Sequence, residues 1–141
     1  MHLDLKKNSL GDEGAEILFK AIRRSHSLVH VDVSSNEISS LGMNKLFRSL
    51  KKNESVASLT CGTQDGTRRN RIGKEGADAL VELLHHNSVL SVLDLSGLSV
   101  GNETIETIVL ALSGNKTLVS LSLTHNDFTA GAAPSLASIV R

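Results

Sequence analysis

The chain has 141 residues with 15 basic and 15 acidic side chains, a formal net charge of zero, which excludes the cationic excess of a general nucleic-acid binder or a polybasic membrane anchor. Three Phe and no Trp or Tyr leave few platforms for base stacking, and no apolar run approaches the ~20 residues of a membrane-spanning helix. A single Cys excludes an internal disulfide, and Met1-His2-Leu3-Asp4 has no secretion-signal pattern, so the expected location is cytoplasmic.

The first element is an alternating stretch, Leu3-x-Leu5, leading into Asn8-x-Leu10. Alternation of this kind predicts a short strand buried on one face. Ala15, Leu18 and Ile22 follow at helical spacing, with Asp12 and Glu13 ahead of them and Arg23 and Arg24 behind, an arrangement that suits the helix dipole. The same sentence returns as Val31-x-Val33 and Asn36-x-Ile38, then Met43, Leu46 and Leu50 closed by Lys51 and Lys52. A third copy opens at Leu59-x-Cys61 but reaches Asn70-x-Ile72 only after Gly62-Thr63-Gln64-Asp65-Gly66-Thr67-Arg68-Arg69. Its helix is marked by Ala77, Leu80 and Leu84. The fourth copy reads Leu93-x-Leu95, with Leu98 where the others place Asn, then Ile105, Ile108 and Leu112. The fifth reads Leu121-x-Leu123 and Asn126-x-Phe128, then Ala133, Leu136 and Val140, with Pro134 in the first helical turn where its missing N–H costs little.

Strand openings therefore recur at steps of 28, 28, 34 and 28 residues, one insertion interrupting a constant period. A period of that size predicts a stacked solenoid built to present a surface. Strand, loop, helix and loop give right-handed crossovers and a parallel sheet. Helices need about 10 Å of width and strands about 4.8 Å, so the stack bends with its strands on the concave side. The expected fold is an α/β, right-handed curved solenoid of about five repeats, one domain over residues 1–141.

Leu90-x-x-Leu93-Asp94-Leu95, and Asn70-x-Ile72-Gly73-x-x-Gly76-Ala77-x-x-Leu80 closed by Asn87, resemble leucine-rich repeats of the ribonuclease-inhibitor type, as in the NOD-like receptors, tropomodulins and the Ran GTPase-activating protein. The resemblance covers nearly the whole chain. It implies that Asn8, Asn36, Asn70 and Asn126 bond backbone groups of adjacent coils, with a gap at Leu98. Function is not implied, because these proteins do different jobs on one fold.

Residues alternating with the strand leucines are expected to line the concave face. They include His2, Asp4 and Lys6; His30, Asp32 and Ser34; Thr60; Asp94 and Ser96; Ser122 and Thr124. The Asp column is either an acidic stripe for a basic partner or ordinary Leu-Asp-Leu repeat wording. The face carries no aromatic anchor of the kind that dominates interfaces. The insertion, residues 62–69, is the stronger candidate: Asp65-Gly66 signals a turn, and Gln64, Asp65, Arg68, Arg69 and Arg71 are expected on a loop projecting from the strands' C-terminal edge. A basic loop on a rigid scaffold suits an acidic patch or a phosphate; a merely tolerated insertion is the other reading, since long loops cost little entropy.

Catalytic readings find no support. His85-His86 lacks a partner at metal-ligand spacing, Ser25-His26-Ser27 is not on a nucleophile elbow, and Gly73-x-x-Gly76 repeats Gly11 and Gly14. Cys61 stands in a strand-leucine position and is expected to be buried and inert. The sequons at Asn53, Asn102 and Asn115 are read as unmodified. No cofactor and no metal is expected. The terminal coils carry no polar caps, so the chain is expected to be a piece of a longer array or to associate end to end through Leu3, Leu5 and Leu18 and through Leu121, Leu123 and Leu136. The expected function is a non-catalytic protein–protein interaction scaffold with another protein as partner, and neither nucleic acid nor membrane. A small-GTPase-activating regulator and an actin or cytoskeletal adaptor are the alternatives.

Overall fold

The computed structural model describes residues 1–63 and 65–140. Five coils follow one another, each a three-residue strand and a helix: β1 (His2–Asp4) and α1 (Gly11–Arg24); β2 (His30–Asp32) and α2 (Ser40–Leu50); β3 (Ser58–Thr60) and α3 (Gly73–His86); β4 (Val92–Asp94) and α4 (Asn102–Gly114); β5 (Ser120–Ser122) and, after a 3₁₀ turn (Ala130–Ala132), α5 (Ala133–Ile139). The strands form one parallel sheet in sequence order. Leu3, Val31, Leu59, Leu93 and Leu121 are successive register partners, so the 34-residue step adds nothing to the sheet. The chain is an α/β leucine-rich-repeat solenoid.

The core lies between the two layers. Val31, Leu59 and Leu93 from the strands meet Phe19, Ile22, Met43, Leu46, Leu80, Leu83, Ile105 and Ile108 from the helices, all buried. Phe19, rather than the expected Leu18, completes the buried stripe of α1, and Leu18 is half-buried. In the last coil the 3₁₀ turn shifts the helical phase. Ala132 is buried and Leu136 and Ile139 are half-buried, whereas Ala133 and Val140 are exposed. Leu3, Leu5, Leu121 and Leu123 are half-buried, since their own helices cover them from one side.

Two ladders of asparagine amides bolt the coils together. At the strands' C-terminal edge, Asn70 Nδ2 donates to Val33 O at 3.0 Å and Cys61 O at 2.8 Å, and its Oδ1 accepts from Asn36 N at 3.1 Å and Ile38 N at 2.9 Å. Asn126 repeats this with Leu95 O, Leu123 O, Leu98 N and Val100 N, at 2.9–3.0 Å. Leu98 breaks the series. The Ile72 N–H turns to Leu98 O at 3.3 Å instead, and the Leu98 side chain is fully buried. At the opposite edge Asn53, Asn87 and Asn115 each donate to the preceding coil and accept two amides of their own loop. Buried amides of this kind replace the water that the turn backbone would otherwise need. The helix starts are also tied across coils. Asp12 in the first turn of α1 accepts from Ser39 N at 2.8 Å and Ser39 Oγ at 2.5 Å, and Ser39 in turn caps α2 through Leu41 N.

Candidate functional site

The insertion leaves the sheet at a point of close approach. Gly62 has no side chain because Ser96 fills the space: a Cβ there would stand 2.6 Å from Ser96 N. Thr63 N donates to Ser96 O at 2.6 Å, and Ser35 Oγ donates to Thr63 Oγ1 at 2.8 Å. The turn then closes on Asp65, whose Oδ1 accepts from Thr67 N at 3.1 Å and Thr67 Oγ1 at 2.8 Å around Gly66 at φ +72°. This is the turn that Asp-Gly predicts.

The loop does not project freely, as the sequence suggests, but lies along the edge across coil 2 onto coil 1. Lys7 Nζ is 2.6 Å from Asp65 Oδ2, and Arg68 Nη1 donates to Ser9 Oγ at 2.6 Å across 59 residues. Arg68 O accepts from Glu37 N at 2.9 Å. The reason is chemical: Asp65 and Arg68 find an ammonium and a hydroxyl within reach, and such charge-assisted bonds outcompete an extended loop. Gln64 lies outside the described residues. Arg69 and Arg71 are exposed; the Arg69 guanidinium approaches Gly66 to 3.3 Å from where a Cβ would be.

The ammonium of Lys7 holds the Asp65 carboxyl well below the usual carboxylate range, helped by the amide and hydroxyl of Thr67. A carboxyl depressed in the folded state stabilises the fold above its unfolded value of about 3.9 and loses that contribution as pH falls through the folded value. The Asp65 carbon resonance should therefore titrate below the usual carboxylate range. In Lys7→Ala its midpoint should move up towards about 3.9; an unchanged midpoint would show that the pair does not form.

The strand face is built differently from its reading as a row of free polar groups. Asp32 Oδ1 accepts from Ser34 N at 2.8 Å and Ser34 Oγ at 2.6 Å; Asp94 Oδ1 accepts from Ser96 N at 2.8 Å and also bonds Ser96 Oγ. Asp4 Oδ1 likewise accepts from Lys6 N at 3.0 Å. The Asp column thus turns the chain at the strand ends. Ser34 and Ser96 are buried and are not contact residues; the Ser96 hydroxyl also meets Ser122 Oγ at 2.8 Å and Thr124 Oγ1 at 2.9 Å. Still accessible are His2, Asp4, Lys6, His30 and Thr124, with Asp32, Thr60, Asp94 and Ser122 partly covered. His2 and His30 lie side by side, ring centroids 5.6 Å apart. That Lys7 and Ser9 belong with the insertion is not legible in the sequence, because nothing in a local pattern reports a contact between coils 1 and 3.

Cys61 is fully buried with Sγ 3.3 Å from Asp94 O, and burial, with the charges of Asp94 and Asp32, pushes its thiol well up. Such a thiol is a core group rather than a nucleophile. Among the described residues no three His, Cys, Asp or Glu side chains gather as a metal site needs, and no helix is long and apolar enough to cross a membrane.

The family described as Leucine Rich repeat matches residues 1–18, 24–47 and 114–137. No curated protein matches the chain. Among solved structures, Leiomodin-1 Actin-Binding Site 2 superposes with a TM-score of 0.80 at 18% identity, covering 99% of this chain and 78% of that one. The tropomodulin C-terminal domain of Caenorhabditis elegans does so with a TM-score of 0.74 at 14% identity, covering 99% and 81%. Identities this low carry the fold and nothing more specific. The three matched segments, the strand register, both asparagine ladders and these superpositions agree on a leucine-rich-repeat fold similar to that of the ribonuclease-inhibitor type.

Proposed function

We propose that the chain is a non-catalytic protein-interaction scaffold of the cytoplasm, binding through its strand face and the adjoining edge that carries the insertion. The seating of the insertion is the observation that supports this most. A loop already fixed by Ser35, Lys7, Ser9 and Glu37 has little freedom left to lose on binding. It presents Arg69, and Arg71 follows it; both are exposed, as are Lys6 and Lys74, and such cations suit an acidic protein surface. The strand face adds the polar groups of His2, Asp4, His30, Thr60, Asp94, Ser122 and Thr124.

An actin partner is the second reading, favoured by the likeness to the leiomodin-1 actin-binding site. A GTPase-activating role has less support, since Arg68 is held on Ser9 rather than free to reach a nucleotide. Co-sedimentation with filamentous actin, together with affinity capture of purified candidate partners, tests the proposal. Charge reversal of Arg69 and Arg71 to Glu should weaken the bound partner by about tenfold or more. Full retention by the reversed protein would remove the insertion edge from the binding surface.

A further inference from the structure

We propose that Ser9 is a phosphorylation site, and that its phosphate fastens the insertion to coil 1 through Arg68. Two independent observations meet at this residue. The first is local sequence. Ser9 is exposed in the turn between β1 and α1, and Lys6 and Lys7 stand three and two residues ahead of it with Leu10 behind, the pattern read by kinases that recognise cations before their acceptor. The second is tertiary: the Ser9 hydroxyl oxygen already accepts from the Arg68 guanidinium at 2.6 Å, a group brought from 59 residues away.

Repeat grammar does not explain the site. The equivalent positions in the other coils are Glu37, Arg71, Ser99 and Asp127, and Ser99 has no cation ahead of it. A phosphoserine carries a charge of about −1.5 to −2 and three strong acceptor oxygens, which match a guanidinium better than a neutral hydroxyl does. The start of α1 at Gly11 adds amide dipoles of the favourable sign. Of the nearby acids, Asp12 is occupied by Ser39 and Asp65 by Lys7; Glu13 is exposed, as is Glu37, the equivalent residue of coil 2, whose N–H holds Arg68 O. In the transfer step the Ser9 oxygen bonds the terminal phosphorus of a nucleoside triphosphate. The bond from that phosphorus to the departing nucleoside diphosphate breaks, and the hydroxyl proton passes to the base of the kinase.

The test uses the whole chain. It is incubated with ATP and the catalytic subunit of cyclic-AMP-dependent protein kinase, and sites are mapped by mass spectrometry. In parallel, phosphoserine is encoded directly at position 9 and tryptic cleavage after Arg69 is timed. Phosphate should appear on Ser9 of the folded chain. The encoded phosphoserine should slow cleavage after Arg69 by about tenfold, the effect of one or two new charge-assisted bonds, and Arg68→Ala should restore the unmodified rate. Kinase action on a peptide of residues 4–13 but not on the folded chain would overturn the proposal. So would unchanged cleavage in the phosphorylated chain, or slowing that survives Arg68→Ala.

Discussion

Replacing Asn70 with Ala should lower the unfolding free energy by about 3–5 kcal/mol, as the loss of partners for several buried backbone groups implies. The amide serves Val33 O, Cys61 O, Asn36 N and Ile38 N, so one side chain satisfies groups of coils 2 and 3 together. Asn70 is itself fully buried, and water cannot reach the groups it leaves without opening the edge. Asn8 holds the same place in the repeat and provides the comparison. Its Nδ2 donates within its own coil, to Leu5 O at 2.9 Å, from an exposed position. Asn8→Ala should therefore cost no more than about 1 kcal/mol. Urea unfolding followed by circular dichroism gives both values, with an unchanged dependence on urea expected for each. Equal costs at the two positions would mean that the ladder does not bind coil to coil.

Gly62→Ala should destabilise by about 2–3 kcal/mol, the cost of forcing a methyl group into filled space. The obstacle is the backbone of Ser96, which cannot rotate aside as a side chain would. Gly97 meets the same contact from the other side, its Cβ position pressed against the Thr63 carbonyl, and it also holds φ at +64°. A left-handed conformation adds about 1–2 kcal/mol for a residue with a Cβ, so Gly97→Ala should be the more harmful change. Gly114 ends α4 with nothing within 4 Å of its Cβ position. There alanine should be neutral or stabilising by up to about 1 kcal/mol through helix propensity. Thermal unfolding of the three variants separates steric closeness from glycine content; a harmless Gly62→Ala would place coils 3 and 4 further apart at this edge.

The fold was legible because its information is periodic. Leu3, Val31, Leu59, Leu93 and Leu121 state the strand register in advance, and the structure pairs them in that order. Asn36, Asn70 and Asn126 state the ladder as well, because their side chains act at fixed offsets within a coil and its neighbour. What a period cannot express is where a departure from it comes to rest. The contacts Lys7–Asp65 and Arg68–Ser9 join coils that are not adjacent in the stack. They depend on the reach of flexible side chains, so a loop expected to project lies flat instead. Alternation likewise assigns Ser34 and Ser96 to the strand face, but each lies beyond its three-residue strand, where the chain folds inward over an Asp carboxylate. The phase of the last helix was lost for a similar reason: the 3₁₀ turn of Ala130–Ala132 advances the chain at three residues per turn before α5 begins.

Nuclear Overhauser spectra of the uniformly labelled chain bear on both the stacking and the loop. Cross-strand contacts should join His30 to Ser58, Ser58 to Val92 and Val92 to Ser120, and the side chains of Ser9 and Arg68 should show contacts with each other. Contacts pairing Ser58 with residues of the 62–69 segment instead of Val92, or a segment whose only neighbours lie inside the core, would contradict it.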